Sequence, residues 1–220
     1  HNPALVAQVV RFLQSRPEFD AVFVDDRYAN IPGTFPLSLV HLENVRKAPD
    51  IIVASTYDSE ARIAGMPGIE ASSGAPLLRG MHGSFSPRDV HNVLIAAGPD
   101  FKTHFQDPLP SGNVDVAPTV AYLLHIAFPH RDGRVLHEAL VQDPGTQPTQ
   151  VTKVYYVPKT PATGLPFYAW TDTFNQHPTS TQGTYTQTIW ASLLTLSNGQ
   201  QYLYLDQAKA ERTAQIMNNH

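Results

Sequence analysis

Gly80-Met81-His82-Gly83-Ser84-Phe85-Ser86-Pro87-Arg88-Asp89 opens a stretch that continues VHNVLIAAGPDFKTHFQDPLPSGNVDVAPTVAYLL to Leu124. Glycine close to His82 lets the backbone approach a charged centre, and the imidazole supplies one neutral nitrogen ligand. Val90 to Ala97 is a continuous apolar run, the pattern of a strand in a sheet covered on both faces. Asp115-Val-Ala-Pro-Thr opens a helix through Ile126, with the Asp as a cap and Pro118 suited to the first turn. One imidazole on a loop beside a sheet can therefore reach a buried metal site. Taken alone, the glycine-flanked His is a weak signal.

Outward from this stretch the pattern stays α/β up to residue 142. Residues 3–16 carry Leu5, Val6, Val9, Val10, Phe12 and Leu13 at near-helical spacing, with Pro3 in the first turn and Pro17 ending the helix. Strands are expected over Ala21–Asp26 and Ala48–Asp58. Residues 59–80, rich in Gly, Ser and Ala, read as a loop, and the part from Gly65 to Gly80 is placed to line or gate a pocket. Gly133–Leu140 reads as a short helical turn. After a Pro-rich linker at 143–150 the chain becomes β-rich. Val151–Val157 alternates, and Thr184–Leu196 with Gln201–Leu205 forms a hairpin whose Asn198-Gly199 pair favours a type I′ turn. A weak helix is expected over 206–217. The domains are then 1–142, an α/β body, and 150–220, a β-rich appendage.

The composition excludes several classes. At 220 residues the chain is 42% hydrophobic and 15% charged, enough for a sizeable core. Fifteen basic against nineteen acidic residues, a net charge of −4 and no Lys/Arg run argue against binding a nucleic-acid polymer. No apolar run is long enough to span a membrane. Without cysteine, any metal must be held by His, Asp or Glu. The opening residues enter a helical pattern directly, with no Met and no leader, which reads as a processed product or a fragment.

The ordered set of the HGS loop, VLIAAGPDF, NVDVAPTVAYLL and DGRVLHEAL resembles the C-terminal part of the alkaline phosphatase superfamily. It is most similar to the type I phosphodiesterase/nucleotide pyrophosphatase branch. The matching elements are Gly98-Pro99-Asp100-Phe101, Asp115-Val116-Ala117-Pro118-Thr119 and Gly133-Arg134-Val135-Leu136. The likeness covers residues 48–142 well, the opening helix and strand more loosely, and residues 150–220 only in a general way.

The resemblance implies the C-terminal portion of an alkaline phosphatase-like α/β sandwich. It also implies a two-zinc site, the ions about 3.5–4 Å apart, that cleaves a small phosphoester through a covalent phospho-enzyme. It implies that His82 ligates one metal, and it points to a periplasmic or secreted location.

This chain departs from the family pattern in lacking an Asp-His-Gly triplet and in having no Asp-x-x-x-His before His82. One ligand cannot hold zinc tightly, since a catalytic zinc takes three protein ligands. The expectation is that an N-terminal portion of the same protein supplies the nucleophile and the other ligands, and that these 220 residues alone are inactive. The alternatives are a sulfatase-like fragment, or a non-catalytic binding or structural module that kept the scaffold.

Other polar residues have plainer readings. Asp25-Asp26 is an acidic pair at a strand end with no His beside it. Asp89 and Asp115 read as caps and His91 as a strand histidine. Ser84 and Ser86 make weak nucleophile candidates. His104, His125, His130 and His137 have the irregular spacing of surface residues. Trp170, Trp190 and the tyrosines of the tail read as hairpin packing, with a stacking surface for sugars or bases as the rival.

Overall fold

The computed structural model describes residues 2–44, 46–71, 84–142, 148–169 and 178–214. Its first element follows from the opening pattern. Asn2 caps α1, Pro3–Ser15, by accepting from the Leu5 amide at 3.3 Å, and Pro3 sits where a missing N–H costs nothing. Val6, Val10 and Leu13 form the buried stripe, while Leu5, Val9 and Phe12 face outward. Strand β1, Phe19–Val24, runs between the short β2, Phe35–Pro36, and β3, Ile51–Ser55. The β1–β2 pairing is parallel and the β1–β3 pairing antiparallel.

A hairpin of β4, Tyr57–Ile63, and β5, Met66–Glu70, comes next, where a loop was expected. Its tip, Ala64-Gly65, has φ of +50° and +82°, the left-handed pair of a tight hairpin turn. Two helices follow: the one-turn α2, Pro87–Val90, and α3, Asn113–Leu123. Strand β6, Pro148–Tyr156, and β7, Ala162–Phe167, both pair with the long β8, Ser180–Leu196, which also pairs with β9, Gln201–Ala214. The chain is thus mixed α/β, mostly strands in several sheets, with few helices among the described residues.

The chain divides into two compact units, and each draws on residues before and after 150. One comprises 1–91, 156–189 and 207–220; the other comprises 92–155 and 190–206. In the first unit the core joins Val6, Val10 and Leu13 of α1 to Val22 and Val24 of β1, Leu165 and Phe167 of β7, and Tyr185 of β8. Fully burying each such aliphatic side chain contributes about 1.5–3 kcal/mol. In the second unit Leu194, Leu196 and Tyr204 pack with Leu109 and Tyr202.

Three expectations are corrected here. Residues 206–214 continue β9 instead of forming a helix, because pairing with β8 outweighs the helix propensity of DQAKAERTA. The β8–β9 turn is not type I′: Gly199 alone has positive φ, +83°, and its amide donates to Leu196 O while Leu196 N donates to Gln200 O. That is a type I turn closed by a left-handed glycine. Finally, Val90 ends α2, and residues 92–97 form no strand. Val93, Leu94 and Ile95 are 83%, 52% and 84% exposed. A run suited to a doubly covered strand finds no pairing strand among the described residues.

Candidate functional site

His82, the expected metal ligand, lies outside the described residues, as do most of the expected Gly65–Gly80 pocket loop and Trp170. The two flanks of that segment are described, and both reach Asp89. On one side, the Ser84 amide donates to Asp89 Oδ2 at 3.3 Å and the Ser84 hydroxyl donates to the same oxygen. On the other, Glu70, the last residue of β5, shares a hydrogen bond with Asp89; burial, and then this neighbouring carboxylate, push the Glu70 carboxyl above its usual range.

Ser86 caps α2 by accepting from the Arg88 amide at 3.1 Å, and its own amide donates to Ser84 Oγ at 3.2 Å. Ser84 and Ser86 are buried and bonded in place, so their geometry serves the turn and not nucleophilic attack. Asp89 is a junction of hydrogen bonds rather than a cap. Glu70 was missed in the sequence because its segment lacked strand periodicity.

The acidic pair at the end of β1 is committed elsewhere. Asp25 accepts from Arg27 Nε and Nη2, both at 2.7 Å, and from the Arg27 amide at 2.9 Å. The Arg27 side-chain bonds hold the Asp25 carboxyl below its usual range. Asp26 accepts from the Ser38 amide at 3.1 Å.

In the second unit three of the sequence segments behind the resemblance lie together: DVAPT bonds GRVL, and GPDF bonds the turn that follows GRVL. Asp115 is fully buried at the third position of α3. Its Oδ2 accepts from the Gly112 amide at 2.9 Å and its Oδ1 from the Arg134 amide at 2.8 Å. Asp115 thus helps close the helix start, but from its third position and not as the N-cap, which is Gly112; α3 starts earlier and ends earlier than expected, so that Pro118 sits in its second turn. The proline withholds the amide that Val114 O would accept, and Gly133 packs against that carbonyl. Thr119 Oγ1 donates to Asp115 O at 2.7 Å and accepts from the Leu136 amide at 3.1 Å. Phe101 of the GPDF turn bridges Leu140, and Lys102 Nζ donates to Glu138 O at 2.7 Å.

The remaining histidines are dispersed. His91 caps the end of α2 rather than standing in a strand. His104, His125 and His130 are exposed at left-handed turn positions, with φ of +54°, +55° and +54°. His137 packs edge-on against Tyr122. The described residues contain no group of three His, Asp or Glu able to hold a metal ion, so they do not by themselves fit a zinc centre. Among them, no helix is long and apolar enough to cross a membrane.

Two buried networks escaped the sequence reading. Gln187 Nε2 donates to Val22 O, and Gln187 Oε1 accepts from Val22 N, both at 2.9 Å. Arg134 forms a buried pair with Glu138. An isolated Gln in a strand carries no signal of this kind, whereas Arg134 and Glu138 stand at the i, i+4 spacing of paired charges.

No family model, no curated protein and no solved structure matches the chain.

Proposed function

We propose that this chain is part of a metal-dependent phosphodiesterase of the nucleotide pyrophosphatase kind. It contributes His82 as one metal ligand, and an N-terminal portion of the same protein supplies the nucleophile and the remaining ligands. The observation that carries this reading is the bracing of DVAPT against GRVL through Asp115 and Thr119, with GPDF held to the turn just after GRVL through Phe101 and Leu140. Elements separated along the chain act there as one scaffold. Zinc would be held by His82 with residues beyond this chain, and the substrate would be a small phosphoester.

The test is zinc titration calorimetry, with hydrolysis of an aryl phosphodiester followed in parallel. The chain alone is expected to show neither tight zinc binding nor turnover. With the N-terminal portion added, both appear, and His82→Ala removes the zinc affinity. Turnover by the chain alone, or no zinc binding in either condition, overturns the reading. The second result leaves a non-catalytic module.

A further inference from the structure

A cleft of about 320 Å³ opens in the first unit between α1 and the turn that follows β1. Pro3, Ala7 and Arg11 line it from α1, Ile31 and Pro32 from the turn, and Ala162 from β7. Its size lies at the low end of small-molecule sites, which run to roughly 300–1,000 Å³. Three bonds between its walls hold it open. Gln14 Nε2 donates to Pro32 O at 2.8 Å, the Gly33 amide donates to Thr160 O at 2.7 Å, and Arg11 Nη2 donates to Gly164 O at 3.0 Å. Gly33 has φ of +77°, and a side chain there would strike Gln14 and Tyr185, so the turn fits only with glycine.

The charges around the cleft are unequal. Arg27 also lines it, but its guanidinium is already paired with Asp25 and with Asp50, the latter at 3.5 Å. Arg11 bonds the carbonyl oxygens of Thr163 and Gly164, which orient the planar group without neutralising it. No carboxylate among the described residues pairs with Arg11. A guanidinium has five N–H donors in a fixed fork, so donors remain for a carboxylate or phosphate. The rest of the lining is mostly apolar.

We propose that this cleft binds a small molecule made of one oxyanion and a compact apolar body, with the oxyanion on Arg11 and the body between Ala7, Ile31 and Ala162. The site lies apart from His82 in the sequence and does not depend on the phosphodiesterase reading.

The test is titration of the chain with phenyl phosphate, benzoate and inorganic phosphate, followed by NMR chemical shifts. Phenyl phosphate or benzoate is expected to shift the amides of Ala7, Ile31 and Ala162, and the stronger of the two identifies the oxyanion. Arg11→Ala should weaken binding at least tenfold, Arg11→Lys less. Ala7→Phe, which fills the cleft and leaves Arg11 in place, should abolish it. No saturable shift with either aryl ligand overturns the proposal. So does inorganic phosphate binding as tightly as phenyl phosphate, or binding that survives both Arg11→Ala and Ala7→Phe.

Discussion

Glu138 grips Arg134 with both carboxylate oxygens, Oε2 accepting from Nη1 at 2.8 Å and Oε1 from Nη2 at 2.6 Å, with side chains only 9% and 4% exposed. The same guanidinium donates to Tyr204 Oη at 2.9 Å and to Pro110 O at 3.2 Å. It thereby ties the 3₁₀ turn His137–Ala139 to β9 and to the chain before α3. Two charges buried together are close to neutral in energy against an apolar pair, but removing one strands the other.

Glu138→Gln should therefore cost about 3–5 kcal/mol in urea unfolding at pH 7. Burial opposes ionisation of Glu138, yet the bonds and charge of Arg134 outweigh it and hold the carboxyl below 4.5. A depressed acid contributes stability that is present above its unfolded value and lost as pH falls through its folded value. The deficit of Glu138→Gln should accordingly shrink as pH falls below 4.5. A deficit that stays constant with pH would contradict the ion-pair account.

Gly133→Ala tests the packing of the DGRVL element on α3. A Cβ at 133 would fall on Val114 O and the neighbouring peptide, and backbone cannot swing aside as a flexible side chain can. Overpacking of this kind costs about 1–3 kcal/mol and sometimes more. Pro118→Ala in the Gly133→Ala background should recover little, because the clash is with the carbonyl itself. Unfolding midpoints of the two variants decide this.

The start of α1 was readable from Pro3 and the apolar spacing, and α3 from Asp115 and Pro118 to within a few residues, whereas the one-turn α2 carries no such signal. The β6 strand and the β8–β9 hairpin were readable from alternation and a turn dipeptide. The β4–β5 hairpin was not, since its strands are half polar and its Ala-Gly tip differs from the Asn-Gly pattern. The run at 92–97 misled for another reason. Periodicity reports what cover a segment suits, and whether that cover is present is a tertiary fact. In the candidate site, the role of Asp115 at the helix start was legible because Gly112 is near in sequence, whereas its bond to the Arg134 amide was not. Glu70 and Asp89 were not recognised as partners, because their pairing depends on the hairpin that was missed.

Val22 faces Val53 of β3 on one side, and on the side of β2 the Gln187 side chain stands where a strand partner would be. Strand β2 covers only Phe23 and Val24, so the amide and carbonyl of Val22 go to the Gln187 side chain. Gln187→Leu keeps the volume and strands both groups in a fully buried site. Each unsatisfied group costs about 1–3 kcal/mol. A loss of about 2–5 kcal/mol in thermal or urea unfolding is expected, and Gln187→Glu should be at least as damaging at pH 7, since it buries a carboxylate charge facing the Val22 carbonyl with no donor between them.

Asp20 has the opposite pH signature to Glu138. It is almost wholly buried, its Oδ1 accepts from the Ala210 amide, and Lys209 Nζ stands 3.3 Å from Oδ2. Burial outweighs these bonds and the nearby charges of Lys209 and Arg212, and pushes the carboxyl above 3.8. The folded state then holds the proton more tightly, so stability rises as pH falls through the folded value toward 3.8. Asp20→Asn retains the acceptor for Ala210 and removes the buried charge. It should be at least as stable as the parent at pH 7, with its advantage narrowing toward pH 4. A variant that is less stable at pH 7 would mean that the Lys209 pair dominates.

Val93 and Ile95 offer the most direct check on the unpaired run. Both are more than four-fifths exposed, in a segment without charge between Asn92 and Gly98. Uncharged apolar segments of this length are prone to strand-to-strand association. The double variant Val93→Lys, Ile95→Glu should raise the soluble concentration of the chain and leave its unfolding midpoint within about 0.5 kcal/mol of the parent, as surface substitutions do. A loss of several kcal/mol would show that the run is covered within this chain.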